Sequence, residues 1–97
     1  SFVRAVVLDG KPETEGMRAG RVYLKPGESC GKHSTNNHEE ILIFLQGNGA
    51  AGSDTGKTLA VGSGKILYIP PFTVHNITNN SDKPLSYIYC VVPVCGH

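Results

Sequence analysis

Runs of β-branched and aromatic residues, each cut short by Gly, Pro, Asn or Asp, leave this chain no length over which a helix can form and commit it to strands. The runs are "FVRAVVL", "RVYLK", "ILIFLQ", "TLAVG", "KILYI", "VHNIT" and "LSYIYCVV", seven in all. Strands at that spacing predict an all-β, antiparallel sandwich or barrel. The one polar stretch with room for a coil, Lys11 to Ala19, contains Pro12 and Gly16 and is followed by Gly20, so no helical period survives there. Reversals are expected at Pro26-Gly27, at Ser53-Asp54-Thr55-Gly56 and at Asn79-Asn80-Ser81-Asp82, which supply the fixed or left-handed φ of tight turns. The 97 residues fit one domain, residues 1–97, because a chain of this length buries only about 60 to 65% of its unfolded surface and cannot support two cores. No internal repeat, low-complexity tract or linker divides it.

Charge and cysteine usage narrow the partners. Nine Lys and Arg stand against eight Asp and Glu, a formal charge of +1, and the cations are scattered singly from Arg4 to Lys83. Without a basic stripe, neither nucleic acid nor an anionic membrane is an expected partner. Counting aliphatic residues and Phe, the longest apolar run, Ile41 to Leu45, is five residues, against the roughly 20 that a membrane helix needs. No charged-then-apolar leader precedes it, so a soluble protein is expected, although a start at Ser1 leaves the question of a leader open. Cys30, Cys90 and Cys95 are odd in number and lack Cys-x-x-Cys spacing, which speaks against a disulfide framework and a zinc ribbon and favours a reducing cytoplasm. Cys30 precedes His33 by three positions, yet a small buried or half-buried thiol is the commoner fate of a lone Cys.

The strand around Ile41 is apolar on both faces. Glu40, Leu42 and Phe44 share one side and Ile41, Ile43 and Leu45 the other. A small barrel has one interior, so the second face is expected to be covered, either by another copy in a homodimer or by an N-terminal strand such as Phe2 to Leu8.

Ligand-capable side chains gather in "HSTNNHEEI", namely His33, His38, Glu39 and Glu40, with another imidazole at His75. Imidazole nitrogen with carboxylate oxygen suits one divalent transition metal ion, Fe(II), Mn, Ni, Cu or Zn, whereas Ca and Mg would demand more oxygen. On an extended chain His38 and Glu40 share a face, as do His33 and Thr35. Glu40 is in phase with Leu42 and Phe44, so Glu39 points away. Buried imidazoles and a carboxylate without a partner are costly, and a metal is the most economical compensation.

These segments resemble the two motifs of the cupin superfamily. The first reads Gly, five residues, His-x-His, three or four residues, Glu, six residues, Gly; Gly27, His33, Thr35, Glu40 and Gly47 stand at those spacings. The second reads Gly, five residues, Pro-x-Gly, two residues, His, three residues, Asn; Gly64, Pro70, His75 and Asn79 fall at those spacings. With the hairpin between Asn48 and Ser63, the motifs cover about half of the chain, and the resemblance implies a double-stranded β-helix, or jelly-roll, barrel. His33, Glu40 and His75 carry over directly as metal ligands. Thr35 stands where the family has its second His, and His38 offers a substitute on the side of Glu40. Phe72 stands where the family carries Gly, at a position where positive φ is called for. Asn79 is expected to be a turn or hydrogen-bonding residue.

Three or four protein ligands would leave open positions on the ion. Two His and one carboxylate with vacancies is the arrangement of non-haem Fe(II) oxygenases, and cupins include dioxygenases, isomerases and decarboxylases. Leu42, Phe44, Tyr68 and Phe72, with Ile66, Tyr87 and Tyr89, are candidates to line a pocket for a small, partly aromatic or apolar ligand. No general base stands out; Glu39 and Tyr68 are the nearest candidates. The expected function is a metal-dependent, dioxygenase-type enzyme acting on a small organic substrate. The alternative is a non-catalytic small-molecule binding or sensing module, and storage of the metal itself is disfavoured because one barrel would hold one ion.

Overall fold

In the computed structural model, which describes residues 3–94, the runs become nine strands: β1 (Val3–Asp9), β2 (Arg18–Leu24), β3 (His33–Ser34), β4 (His38–Gln46), β5 (Asn48–Ser53), β6 (Thr58–Gly62), β7 (Ile66–Ile69), β8 (Val74–Thr78) and β9 (Leu85–Pro93). All pairings are antiparallel. They form a five-stranded sheet, β1-β2-β9-β4-β7, and a four-stranded sheet, β3-β8-β5-β6, which face each other as a double-stranded β-helix. Lys11 to Gly16 forms turns and bends, and the three expected reversals fall at or between strand ends. Phe2 and Cys95 lie outside the described residues.

Two strands lacked a β-branched signal. β3 has two residues and is defined by its partner β8. β5, "NGAAGS", is small because its neighbours crowd it: a Cβ on Gly49 would stand 2.6 Å from the Thr78 carbonyl oxygen and 2.7 Å from Leu85 Cδ2. Close approach of backbone, not side-chain propensity, selects glycine there.

Period-two alternation sets the interior. Val22 and Leu24 of β2, Leu42 and Phe44 of β4, Ile69 of β7, and Leu85 and Tyr87 of β9 meet Val61 of β6 and Ile77 of β8 in one core. Burying each such side chain contributes roughly 1.5 to 3 kcal/mol. Phe44 stacks against Tyr87, ring centroids 5.1 Å apart. At one end of the core Asn79 is fully buried, donating through Nδ2 to the carbonyls of Leu24 and Lys83 and accepting at Oδ1 from the Ser81 amide and hydroxyl. It is the hydrogen-bonding residue the motif called for.

The outer face of the five-stranded sheet corrects one expectation. β1 pairs edge to edge with β2 and does not lie over β4, so Ile41 and Leu45 stay exposed.

Candidate metal centre

The inward rows of β4 and β8 change character at the same end of the barrel. On β4 the row Phe44, Leu42 ends in Glu40; along β8 the row that begins at Asn79, just past the strand, and continues through Ile77 ends in His75, and all six are buried. From Gly27 to Thr35 the chain zips along β8, with hydrogen bonds from Gly27 N to Asn79 O, Cys30 N to Ile77 O and Thr35 N to Thr73 O. That register sets His33 directly opposite His75. One sheet thus supplies two imidazoles and the other a carboxylate.

The three side chains converge. The His33 and His75 rings lie edge to face with centroids 4.2 Å apart, and His75 Nε2 lies 3.2 Å from Glu40 Oε1. One donor atom from each of His33, Glu40 and His75 lies within 4.8 Å of the others. Both imidazoles are held from behind: Nδ1–H of His33 donates to the Gly31 carbonyl at 2.9 Å and that of His75 to the Thr73 carbonyl at 3.2 Å. A carbonyl only accepts, so each Nδ1 carries the proton and, in a neutral ring, each Nε2 presents a lone pair. Backbone carbonyls behind His ligands are a common support in metal sites.

A neutral His75 would then face the Glu40 carboxylate lone pair to lone pair, an arrangement that needs positive charge between them. Burial alone lowers the His75 pKa, but the hydrogen bond to Glu40, that to Thr73 and the Glu40 charge outweigh it and raise it. A proton on His75 Nε2 would satisfy the pair in the free protein. The donor set, two imidazoles and one carboxylate, equally fits a divalent transition ion, with His33, Glu40 and His75 as its holders.

The other sequence-named residues fall in different places. His38 opens β4 on the side of Glu40, is half-buried and lines the same cavity, but does not belong to the group of three. Thr35 is buried and its hydroxyl is engaged: it donates to the Pro70 carbonyl at 2.7 Å and accepts from the Thr73 amide at 3.0 Å. The residue in place of a second imidazole therefore clamps the loop that supports His75.

Leu42 lines the cavity, together with Tyr87 and Tyr89. Burial, with Cys30 and Glu40 adding to it, pushes the Tyr87 phenol far above its ordinary pKa, so it is neutral. Four of the pocket candidates lie outside this cavity. Phe44 is core, sealed against Tyr87 below the cavity. Tyr68, 56% exposed, is paired with Ile41 across the outer face and donates to Glu39 Oε1 at 2.9 Å, which raises its pKa. Phe72 is 74% exposed; its φ of 54° meets the motif's need for a left-handed residue, and that backbone turns the ring to solvent. Ile66 is likewise on the outside.

The cavity, about 530 Å³, runs from the three donors across β9 to β2 and β1, where Arg18 and Arg4 line it, with Lys32 beside His33 also in the lining. Sequence reasoning missed these cations, although "RAGRVYL" sets Arg18 in phase with Gly20, Val22 and Leu24. Among the described residues no helix is long and apolar enough to cross a membrane.

Residues 20–92 match the model of the Cupin domain family. An uncharacterized protein of Methanocaldococcus jannaschii is 39% identical over 66 residues, 68% of this chain and 50% of its own length. Gentisate 1,2 dioxygenase 1 of Aquipseudomonas alcaligenes is 28% identical over 75 residues, 77% of this chain and 21% of its own. This chain thus spans half or less of these curated relatives. Among solved structures, a conserved protein with a double-stranded β-helix domain from Klebsiella pneumoniae superimposes with a TM-score of 0.87 at 20% identity, covering 96% of this chain and 77% of that one. A predicted oxalate decarboxylase from Thermotoga maritima gives 0.73 at 17%, covering 97% and 95%. Both structural likenesses bear on the fold alone.

Proposed function

This chain belongs to the cupin domain family, and on that premise we propose that it is a metal-dependent enzyme of dioxygenase type, acting on a small organic substrate with His33, Glu40 and His75 as the ligands. The observation that carries the reading is the convergence of two back-supported imidazoles and one buried carboxylate at the head of an open cavity. Two His and one carboxylate are the ligand set of non-haem Fe(II) oxygenases. The similarity to gentisate 1,2 dioxygenase 1 supports the same reaction class. When bound, the ion supplies Lewis acidity and open coordination positions.

The protein's own residues then have defined tasks. His33 and His75 would hold the ion through Nε2, kept in that tautomer by the Gly31 and Thr73 carbonyls. Glu40, from the opposite sheet, would balance part of the cation's charge. Leu42 and the neutral Tyr87 wall off water behind the donors. His38, on the cavity wall, stands as a proposed fourth ligand. The free thiols of Cys30 and Cys90 agree with a cytoplasmic location.

A binding or sensing module is the second reading, favoured by one observation: Glu39 and Tyr68, the nearest candidate bases, pair with each other on the outer face. Oxygen-electrode assays with catechols, thiols and dicarbonyls separate the two. Oxygen uptake by Fe(II)-loaded protein supports the enzyme; a ligand-induced rise in melting temperature without uptake supports the module.

We further propose a homodimer through the outer face of the five-stranded sheet. Ile41, Ile43, Leu45, Ile66 and Ile88 make that face apolar, while Arg21, opposite Ile88, and Glu39, opposite Val92, flank it with opposite charges. A two-fold arrangement of two copies would bring unlike flanks together.

A further inference from the structure

The far wall of the cavity carries a second, chemically distinct set of groups. Asp9, Arg18, Val91 and Glu40 are successive cross-strand partners through β1, β2, β9 and β4. Directly opposed residues share a face, so Arg18 stands on the same inner surface as Glu40. With neighbouring strands about 4.8 Å apart, its Cα lies roughly 10 Å away. A second row, Val6, Gly20, Tyr89 and Leu42, and a third, Arg4, Val22, Tyr87 and Phe44, run parallel to it. Arg18 and Arg4 therefore bracket the row that contains Gly20.

That glycine keeps the row open. A Cβ on Gly20 would come within 2.6 Å of Tyr89 Oη and 2.6 Å of the Ala5 carbonyl oxygen, so the Tyr89 phenol lies over the bare backbone between the two arginines. Val22, Tyr89 and Val91 give this part of the cavity an apolar and aromatic floor. Arg4, Arg18 and Lys32 outnumber the carboxylates in the lining, Asp9 and Glu40. Among the described residues none of the three cations makes an ion pair, although Asp9 is opposite Arg18 in register. A divalent ion at the donors would make the cavity more positive still.

We propose that the β1–β2 end of the cavity is a carboxylate subsite, with Arg18 and Arg4 as specificity-determining residues that bind the acid group of a small aromatic or short-chain carboxylate. This rests on the reading that a small organic ligand enters from that side toward His33, Glu40 and His75. The guanidinium groups offer paired donors that match a carboxylate, and the floor takes the apolar body. Neutral ligands of the same shape bind more weakly.

The test uses 3,4-dihydroxybenzoate and catechol, which share ring and hydroxyls and differ in the carboxylate. Binding to the Zn(II)-incubated full chain is measured by calorimetry, with metal content and melting temperature recorded separately. The expected result is at least tenfold tighter binding of the acid. That preference falls at least fivefold in Arg18→Gln and in Arg4→Gln, with metal content and melting temperature unchanged, and it weakens with added NaCl. Equal affinity for the two probes, a preference intact in the double variant, no binding of either probe at millimolar concentration, or displacement of the acid by equimolar inorganic phosphate would overturn the subsite. A preference that depends on Arg18 in protein that takes up no metal would keep the subsite and remove the metal reading; one metal per chain without a preference would do the reverse.

Discussion

Replacing Thr35 with Val preserves the shape of a buried side chain and deletes only its hydroxyl. That hydroxyl donates to the Pro70 carbonyl at 2.7 Å and accepts from the Thr73 amide at 3.0 Å. Each hydrogen bond is worth about 1 kcal/mol net, and a buried group left unpaired costs about 1 to 3. Thr35 is 7% exposed, but water can reach part of the Pro70 to Thr73 corner, so the expected loss is about 2 to 3 kcal/mol. For a domain of this length each kcal/mol lowers Tm by about 4 to 8 °C, which gives a drop of roughly 10 to 20 °C. The Thr73 carbonyl also accepts from His75 Nδ1, so metal affinity should weaken about tenfold, as for loss of an outer support. Calorimetric melting and metal titration of Thr35→Val, beside Thr35→Ser, are the assays. A Tm within about 2 °C of wild type together with unchanged affinity would refute the clamp and return Thr35 to the status of an incidental replacement.

His75→Ala should weaken metal binding by more than about a hundredfold, whereas His38→Ala, outside the close group, should cost less than about tenfold; equal losses in a competition titration would promote His38 to a full ligand. Phe72→Gly should raise stability by about 0.5 to 1 kcal/mol, because relief of a left-handed φ at a non-glycine residue exceeds the added chain entropy; a lower Tm would show that the exposed ring has an unseen partner. Ile43→Glu should convert a dimer at tens of micromolar to a monomer in sedimentation equilibrium, and a wild type already monomeric there would dispose of the outer-face interface.

Much of the fold could be read from alternation and turns. The inward phase of Glu40, Leu42 and Phe44 was set by strand parity alone, and His33, Glu40 and His75 stood at motif spacings that imply convergence. What could not be read depended on distant partners. The Thr35 hydroxyl answers to Pro70 and Thr73, 35 and 38 positions away. Parity also cannot say how deep a residue sits: Phe44 shares the face of Glu40, yet it lies two steps down, in the core. Tyr68 and Ile66 show the converse, since β7 pairs with β4 so that both join Ile41 and Ile43 on the outside. Phe72 was a pocket candidate as a bulky ring at the motif's glycine position, and the left-handed backbone that the turn requires points it elsewhere. β5 was implied only through its hairpin, because its glycines answer to crowding by Thr78 and Leu85.

Elemental analysis of protein incubated in turn with Fe(II), Mn(II) and Zn(II), then desalted, bears most directly on the central claim that His33, Glu40 and His75 hold a cation between the two sheets. The account predicts about one ion per chain for wild type and loss of that ion in folded Glu40→Gln and His75→Ala. Wild type with no ion above background, or both variants retaining a full complement, would contradict it.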